Sequence, residues 1–261
     1  MRTGPGVHFL DAAAPEGMRL YAIGDVHGRF DLLREMHARI RGEIVRDRPA
    51  DWRIIHVGDY VDRGPQSREV IELLLELTRA DPHIVALAGN HDLGFVDFLR
   101  RPAAVSLFAH NGGEQTARSY GVEVDLSTDA SARRAADAML AVIPSEQLTF
   151  LHDLPRSCSF GDFFFCHAGV RPGVALEEQN PFDMRWIRND FLDHKGDHGA
   201  YIVHGHSIST EADVQGNRIG IDTGAYRSGT LTALGLEGDR RWLLRASVID
   251  GEVQTKLSTL G

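Results

Sequence analysis

Three short, largely apolar runs, Arg19–Ile23, Arg53–Val57 and His83–Ala88, each lead into a glycine followed by a carboxylate or amide residue: Gly24-Asp25, Gly58-Asp59 and Gly89-Asn90. Runs of this length bounded by turn residues read as buried strands. Helical patterns separate them. From Phe30 to about Asp47, Leu33, Met36, Ile40 and Ile44 recur at helical spacing, and from Gln66 to Arg79 so do Val70, Leu73, Leu74 and Leu77. Strand, polar loop and helix in alternation imply a parallel sheet with crossover helices. The polar loops then gather at the carboxyl ends of adjacent strands, where open α/β sheets place ligand sites.

Phe95 to about His152 differs in character. It is rich in Ala, Arg and Ser and reads as several helices, one starting near Pro144-Ser145. It is expected to be a helical insertion flanking the site. From Arg156 the pattern returns to strands: Phe163–Cys166, Tyr201–His204, Arg218–Ile221, Thr230–Leu236 and Trp242–Val248. This half is expected to form a second sheet packed on the first. With no internal repeat, low-complexity tract or clear linker, residues 1–261 read as one domain, with the insertion at about 95–152. The Gly, Pro and Ala content of Met1–Glu16 suggests a loosely ordered lead-in, and the stretch has no signal-peptide pattern.

Net charge narrows the function classes. A chain at −9 lacks the dense basic stripe of a nucleic-acid-coating protein. An anionic small substrate stays open, because bound metal ions reverse the local charge of a cleft. Two cysteines, Cys158 and Cys166, make no disulfide framework and read as buried thiols of a reducing, cytoplasmic setting. No stretch of 18 apolar residues exists, so no membrane span is expected. Nothing in the sequence speaks to oligomeric state.

The loops carry Asp25-Val26-His27, Asp59, Asn90-His91, His167 and His204-Gly205-His206. Taken singly, each His reads more readily as a surface or satisfied core residue, and each Asp as a cap or turn residue. Their repetition at strand ends changes that. Carboxylate, imidazole and amide oxygen donors suit manganese, iron or zinc, and a Cys-based structural zinc site has no candidate. An Asp with two oxygens can bridge two ions. Two ions roughly 3.5–4 Å apart clamp a phosphoryl group and acidify bound water for in-line attack on phosphorus.

Gly24-Asp25-Val26-His27-Gly28, Gly58-Asp59-Tyr60-Val61-Asp62-Arg63-Gly64 and Gly89-Asn90-His91-Asp92 resemble, in order, the three signatures of the phosphoprotein phosphatase family of calcineurin-like metallophosphoesterases. His167-Ala168-Gly169 and Val203-His204-Gly205-His206 resemble its fourth and fifth motifs. Ile221-Asp222-Thr223-Gly224-Ala225 resembles the closing motif of its bacterial and phage members. The resemblance implies an α/β fold of two sheets in a sandwich flanked by helices, and two divalent ions, manganese foremost. Asp25 and His27 would hold the first ion, Asp59 would bridge, and Asn90, His167 and His206 would hold the second. His204 is left as a neighbour. His91 would be the general acid, held and polarised by Asp62. Arg63 would grip the phosphoryl oxygens. Trp186-Ile187-Arg188 resembles the segment that supplies a second phosphate arginine, so Arg188 is the candidate and Arg185 its competitor.

Asp92 stands where eukaryotic members have Glu, and Ala168 where they have Gly. The eukaryotic loop after the closing motif is absent, which leaves the role of Tyr226 open between site lining and packing. The activity expected first is hydrolysis of phosphoserine and phosphothreonine, with phosphotyrosine, in protein or peptide substrates. The alternative is hydrolysis of symmetrical dinucleoside tetraphosphates or another small phosphate ester. A metal-binding scaffold without catalysis is disfavoured, since the acid, its Asp partner and Arg63 accompany every ligand.

Overall fold

The computed structural model describes residues 7–260; Met1–Gly6, part of the expected lead-in, lie outside the described residues. The first half alternates as its periodicity predicts: β1 (Met18–Ile23), α1 (Phe30–Asp47), β2 (Asp51–His56), α2 (Ser67–Ala80), β3 (Ile84–Ala86) and α3 (Asn90–Arg100). β1, β2 and β3 run parallel, with Ile23 beside His56 and Ile55 beside Val85. The loops after them emerge on one edge of the sheet.

α3 begins at Asn90, five residues before the insertion expected from Phe95. The Asp92 carboxylate accepts the Gly89 N–H at 2.9 Å and caps the helix entry. The third motif therefore occupies the first helical turn. α4 (Leu107–His110), α5 (Gly113–Ser119), α6 (Asp129–Leu140) and α7 (Ser145–Asp153) follow and share one core with the helix-facing side of the first sheet, through Phe95, Phe98, Phe108, Ala132, Met139 and Leu151.

The later elements are β4 (Ser157–Phe160), β5 (Phe163–Cys166), α8 (Asp183–Trp186), α9 (Asn189–Leu192), β6 (Tyr201–His204), β7 (Asp213–Val214), β8 (Arg218–Gly220), α10 (Ala225–Ser228), β9 (Thr230–Glu237), β10 (Arg240–Ile249) and β11 (Glu252–Thr259). Five of them form the second sheet, in the order β4-β5-β6-β8-β7. The strands read at Thr230–Leu236 and Trp242–Val248 do not belong to it. β9 pairs antiparallel with the free edge of β1, and β10 and β11 extend that sheet to the order β11-β10-β9-β1-β2-β3. β9 is buried on both faces: Leu234 and Leu236 face the inter-sheet core, Leu231 and Ala233 the helices. Its near-continuous apolar run fits either sheet, so the pattern could not assign it.

The two sheets meet over Leu20, Ala22, Ile55, Phe163, Phe165, Val203 and Leu234. Across the described residues before β1 the expected looseness does not hold. Ala12 and Ala14 are buried, Phe9 lies 5.5 Å from the Tyr201 ring, and Arg241 donates to the Ala12 carbonyl. Ala12 and Ala14 join the core between the two sheets, with Val7 and Phe9 packed against it.

Candidate active site

The site residues sit on a backbone under local constraint. Among the described residues, seven non-glycine positions have positive φ, and five of these are His27, Asp59, Asp62, Arg63 and His206. Left-handed backbone at such residues costs free energy and persists where surrounding contacts over-determine it. Those contacts are visible. Asp92 accepts the N–H groups of both Asp59 and Tyr60, at 2.9 and 2.8 Å, as well as that of Gly89. Gly89 and Gly205 lie so close to the carboxylates of Asp59 and Asp25 that any β-carbon would collide with them.

Two triples of donor atoms result, each with all members within 4.8 Å of one another: His27, Asp59 and His91, and Asp59, His167 and His206. Asp59 belongs to both. Its Oδ2 is 3.4 Å from His27 Nε2, and its Oδ1 is 3.4 Å from His167 Nε2. Asn90 Oδ1 lies 2.8 Å from His167 Nε2 and 2.9 Å from His206 Nδ1. Asp25 is outside both triples; its carboxylate accepts the His206 N–H at 3.1 Å and so reaches the second sheet.

Tautomers are set from behind. His27 Nδ1–H donates to the Val61 carbonyl at 2.7 Å, and His167 Nδ1–H to the Val57 carbonyl at 2.9 Å. Each ring thus turns its Nε2 lone pair toward Asp59, the arrangement of metal-binding imidazoles. Burial raises Asp25 well above the usual carboxylate range, helped by the charges of Asp222 and Asp59. Asp222 Oδ2 is itself buried with no hydrogen-bond partner. Burial also opposes ionisation of Asp59, but His167 and His91 outweigh it and hold this carboxyl well below its ordinary range. A cluster of buried carboxylates flanked by imidazole lone pairs fits divalent cations, which would neutralise it.

His91 Nδ1–H donates to Asp62 Oδ2 at 2.7 Å. Arg63 lies between two rings, donating to His27 Nε2 and His91 Nε2 at 2.8 Å each. Tyr226 completes this corner: the Arg63 guanidinium lies 4.9 Å from its ring centroid, and His27 meets the ring edge-on at 5.5 Å. Tyr226 therefore lines the site. Asp62 rests on the insertion. Thr116 of α5 donates to Asp62 Oδ1 at 2.9 Å and accepts the Asp62 N–H at 2.8 Å.

No sequence pattern singles out Thr116, and Asp92 stands in the sequence only as a departure from the family pattern. The capping spacing from Gly89 to Asp92 was the one signal for the latter. Trp186 stands edge-on to His206 at 6.0 Å. Arg185 lines a groove on one side of it and exposed Arg188 a smaller cavity on the other, where its charge reaches His206. His204 points away: its Nδ1–H donates to the Gly205 carbonyl and its Nε2 accepts from Arg218 at 3.3 Å.

A sandwich with these donors at the strand ends defines a metal-dependent hydrolase of phosphate esters. The chain belongs to the calcineurin-like phosphoesterase family, whose model matches residues 18–227. It is 29% identical over 235 residues to the asymmetrical bis(5'-nucleosyl)-tetraphosphatase PrpE of Anoxybacillus flavithermus, covering 81% of this chain and 88% of that one. It is 28% identical over 218 residues to serine/threonine-protein phosphatase 1 of Salmonella typhimurium, covering 82% and 89%. The crystal structure of a putative diadenosine tetraphosphatase shares the fold at a TM-score of 0.59 and 18% identity, over 96% of this chain and 100% of that one. No helix among the described residues is long and apolar enough to cross a membrane.

Proposed function

We propose that this phosphoesterase hydrolyses dinucleoside polyphosphates with two divalent ions, manganese foremost, held by Asp25, His27 and Asp59 on one side and by Asp59, Asn90, His167 and His206 on the other. The observation that carries the reaction is Asp59, whose two oxygens face histidines of different triples. When bound, the ions supply Lewis-acid polarisation of the phosphoryl oxygens and acidify water. The chain's own residues do the rest. Arg63 orients the phosphoryl group through its planar fork, with Arg188 as a second cation. His91 delivers a proton from Nε2 to the leaving oxygen, while Asp62 holds Nδ1–H and fixes the orientation of the ring.

Similarity to PrpE over most of both chains supports the nucleotide substrate. Phosphoserine and phosphothreonine proteins are the second reading, supported by comparable similarity to the Salmonella phosphatase. The two readings share every residue above and differ in what lies beyond the reacting phosphate. A substrate panel separates them: diadenosine tetraphosphate should be turned over with a higher kcat/KM than a phosphoserine peptide, and the reverse order would install the second reading. On either substrate, His91→Asn should lower kcat by roughly 10²–10⁴-fold with metal content unchanged. Loss of metal in that variant would reassign His91 as a ligand.

A further inference from the structure

One face of α3 runs out of the metal centre. Asn90, Leu93, Gly94, Asp97, Arg100 and Arg101 follow one another at helical spacing and all line a single groove of about 510 Å³. The stripe begins at Asn90, beside His167 and His206, and ends about 15 Å away by the helical rise. Arg156 and Arg185, from outside α3, line the same groove. Asp97 is the one carboxylate among these lining residues, and it pairs with Arg101 at 2.9 Å. Arg100, Arg156 and Arg185 have no carboxylate partner among the described residues. Burial, with the charge of Arg156 beside it, holds Arg185 below the usual arginine range, as befits an unneutralised cation. Four arginines against one aspartate make the groove cationic in a chain of net charge −9.

An aromatic pair borders these arginines. Phe182 stacks on Trp186 at 6.2 Å and 23°, and Trp186 meets His206 edge-on. Phe182 is 60% exposed. Arg156 and Arg185 each donate to a backbone carbonyl, of Leu154 and Pro181, which leaves their charge unneutralised. An exposed aromatic face beside such guanidinium groups matches the two chemistries of a nucleotide: a stackable base and a phosphate chain. An acidic peptide would use the cations and leave the aromatic face idle.

We infer that this groove is the subsite for the non-reacting nucleotide: Arg100, Arg156 and Arg185 hold its phosphate chain, and Phe182 with Trp186 stacks its base. The inference rests on the dinucleoside polyphosphate reading above. Steady-state kinetics on p-nitrophenyl phosphate, which reaches only the metal centre, and on diadenosine tetraphosphate test it. Arg100→Gln and Arg156→Gln should each raise KM for diadenosine tetraphosphate roughly tenfold, the size of one charge-assisted contact. Each should leave kcat/KM for p-nitrophenyl phosphate within about twofold. Phe182→Ala should raise the same KM while leaving inhibition by inorganic tetraphosphate unchanged, which separates base stacking from charge.

Parallel losses on both substrates, or an unmoved KM for diadenosine tetraphosphate in both arginine variants, would overturn the subsite. So would variants that weaken an acidic phosphopeptide alone. A wild-type enzyme that cleaves p-nitrophenyl phosphate, yet neither cleaves nor is inhibited by diadenosine tetraphosphate, removes the nucleotide reading itself and the subsite with it. Cleavage of diadenosine tetraphosphate that ignores the arginines removes only the subsite.

Discussion

Thr116 makes three contacts with one hydroxyl group. Its proton goes to Asp62 Oδ1 and its oxygen accepts the Asp62 N–H, so the 3.1 Å contact with Ser67 Oγ has Ser67 as donor. Asp62 in turn holds His91, so with His91 as the proposed general acid Thr116 is a positioning residue two steps from the leaving oxygen. Thr116→Val keeps the shape and removes the hydroxyl. It should lower kcat on phenyl phosphate by about tenfold, in line with a hydrogen bond to a charged group. The loss should shrink on p-nitrophenyl phosphate, whose leaving group needs less protonation, and Thr116→Ser should restore activity. A drop in melting temperature with kcat intact on both esters would show that Thr116 is merely structural. No local pattern marks this residue, which lies 54 positions from its partner.

At the scale of elements, α1 packs on β2 through a buried histidine pair. His37 and His56 stack at 5.1 Å and 28° with their Nε2 atoms 2.9 Å apart. His56 donates Nδ1–H to the Val85 carbonyl, so His37 Nε2–H donates to His56 Nε2 and both rings are neutral. Burial holds His56 down to about 4 and His37 well below its usual range, with His56 and then Arg41 adding to the latter. In the unfolded chain both titrate near 6.5. Between about pH 6.5 and 4 the unfolded state therefore binds more protons, and stability falls as the pH falls. The melting temperature should drop from pH 7.5 to 5, and His37→Gln should show a shallower drop. An equal slope in the variant would show that other groups carry the acid sensitivity. The helix and the strand meeting here were legible from their apolar patterns alone, but their histidine contact was not. Nor were β4, β7 and β11, which are very short or, in β11, a polar edge strand of Glu252, Gln254 and Lys256.

At the scale of the whole molecule, the candidate metal centre lies where the two sheets meet. Asp25, His27 and Asp59 follow strands of the first sheet and Asn90 opens α3 beside them, while His167 and His206 follow β5 and β6 of the second. The Asp25 to His206 hydrogen bond already crosses this seam. Ions bound there engage the folded chain and not its scattered ligands, so they stabilise by mass action: about 2.7 kcal/mol at a hundredfold excess over Kd. Manganese should raise the melting temperature of the wild type by about 5 °C or more at that excess, and EDTA should reverse the rise. Asp59→Asn, which weakens the shared ligand, should show little shift and no turnover. A full shift in that variant would mean that Asp59 does not bridge.

The sequence by itself determined the parallel β1-β2-β3 core, α1 and α2, and the residues placed at strand ends. These depend on local periodicity and on turn chemistry, which neighbouring residues settle among themselves. Only the tertiary structure decided that β9 and β10 join the first sheet, that the insertion braces Asp62 through Thr116, and that Arg156 and Arg185 share a groove with the α3 stripe. Each of these is a contact between segments far apart in the chain. A strand buried on both faces carries no alternation to say which edge it will pair with. A hydroxyl or guanidinium group carries no local sign of the distant partner it will face.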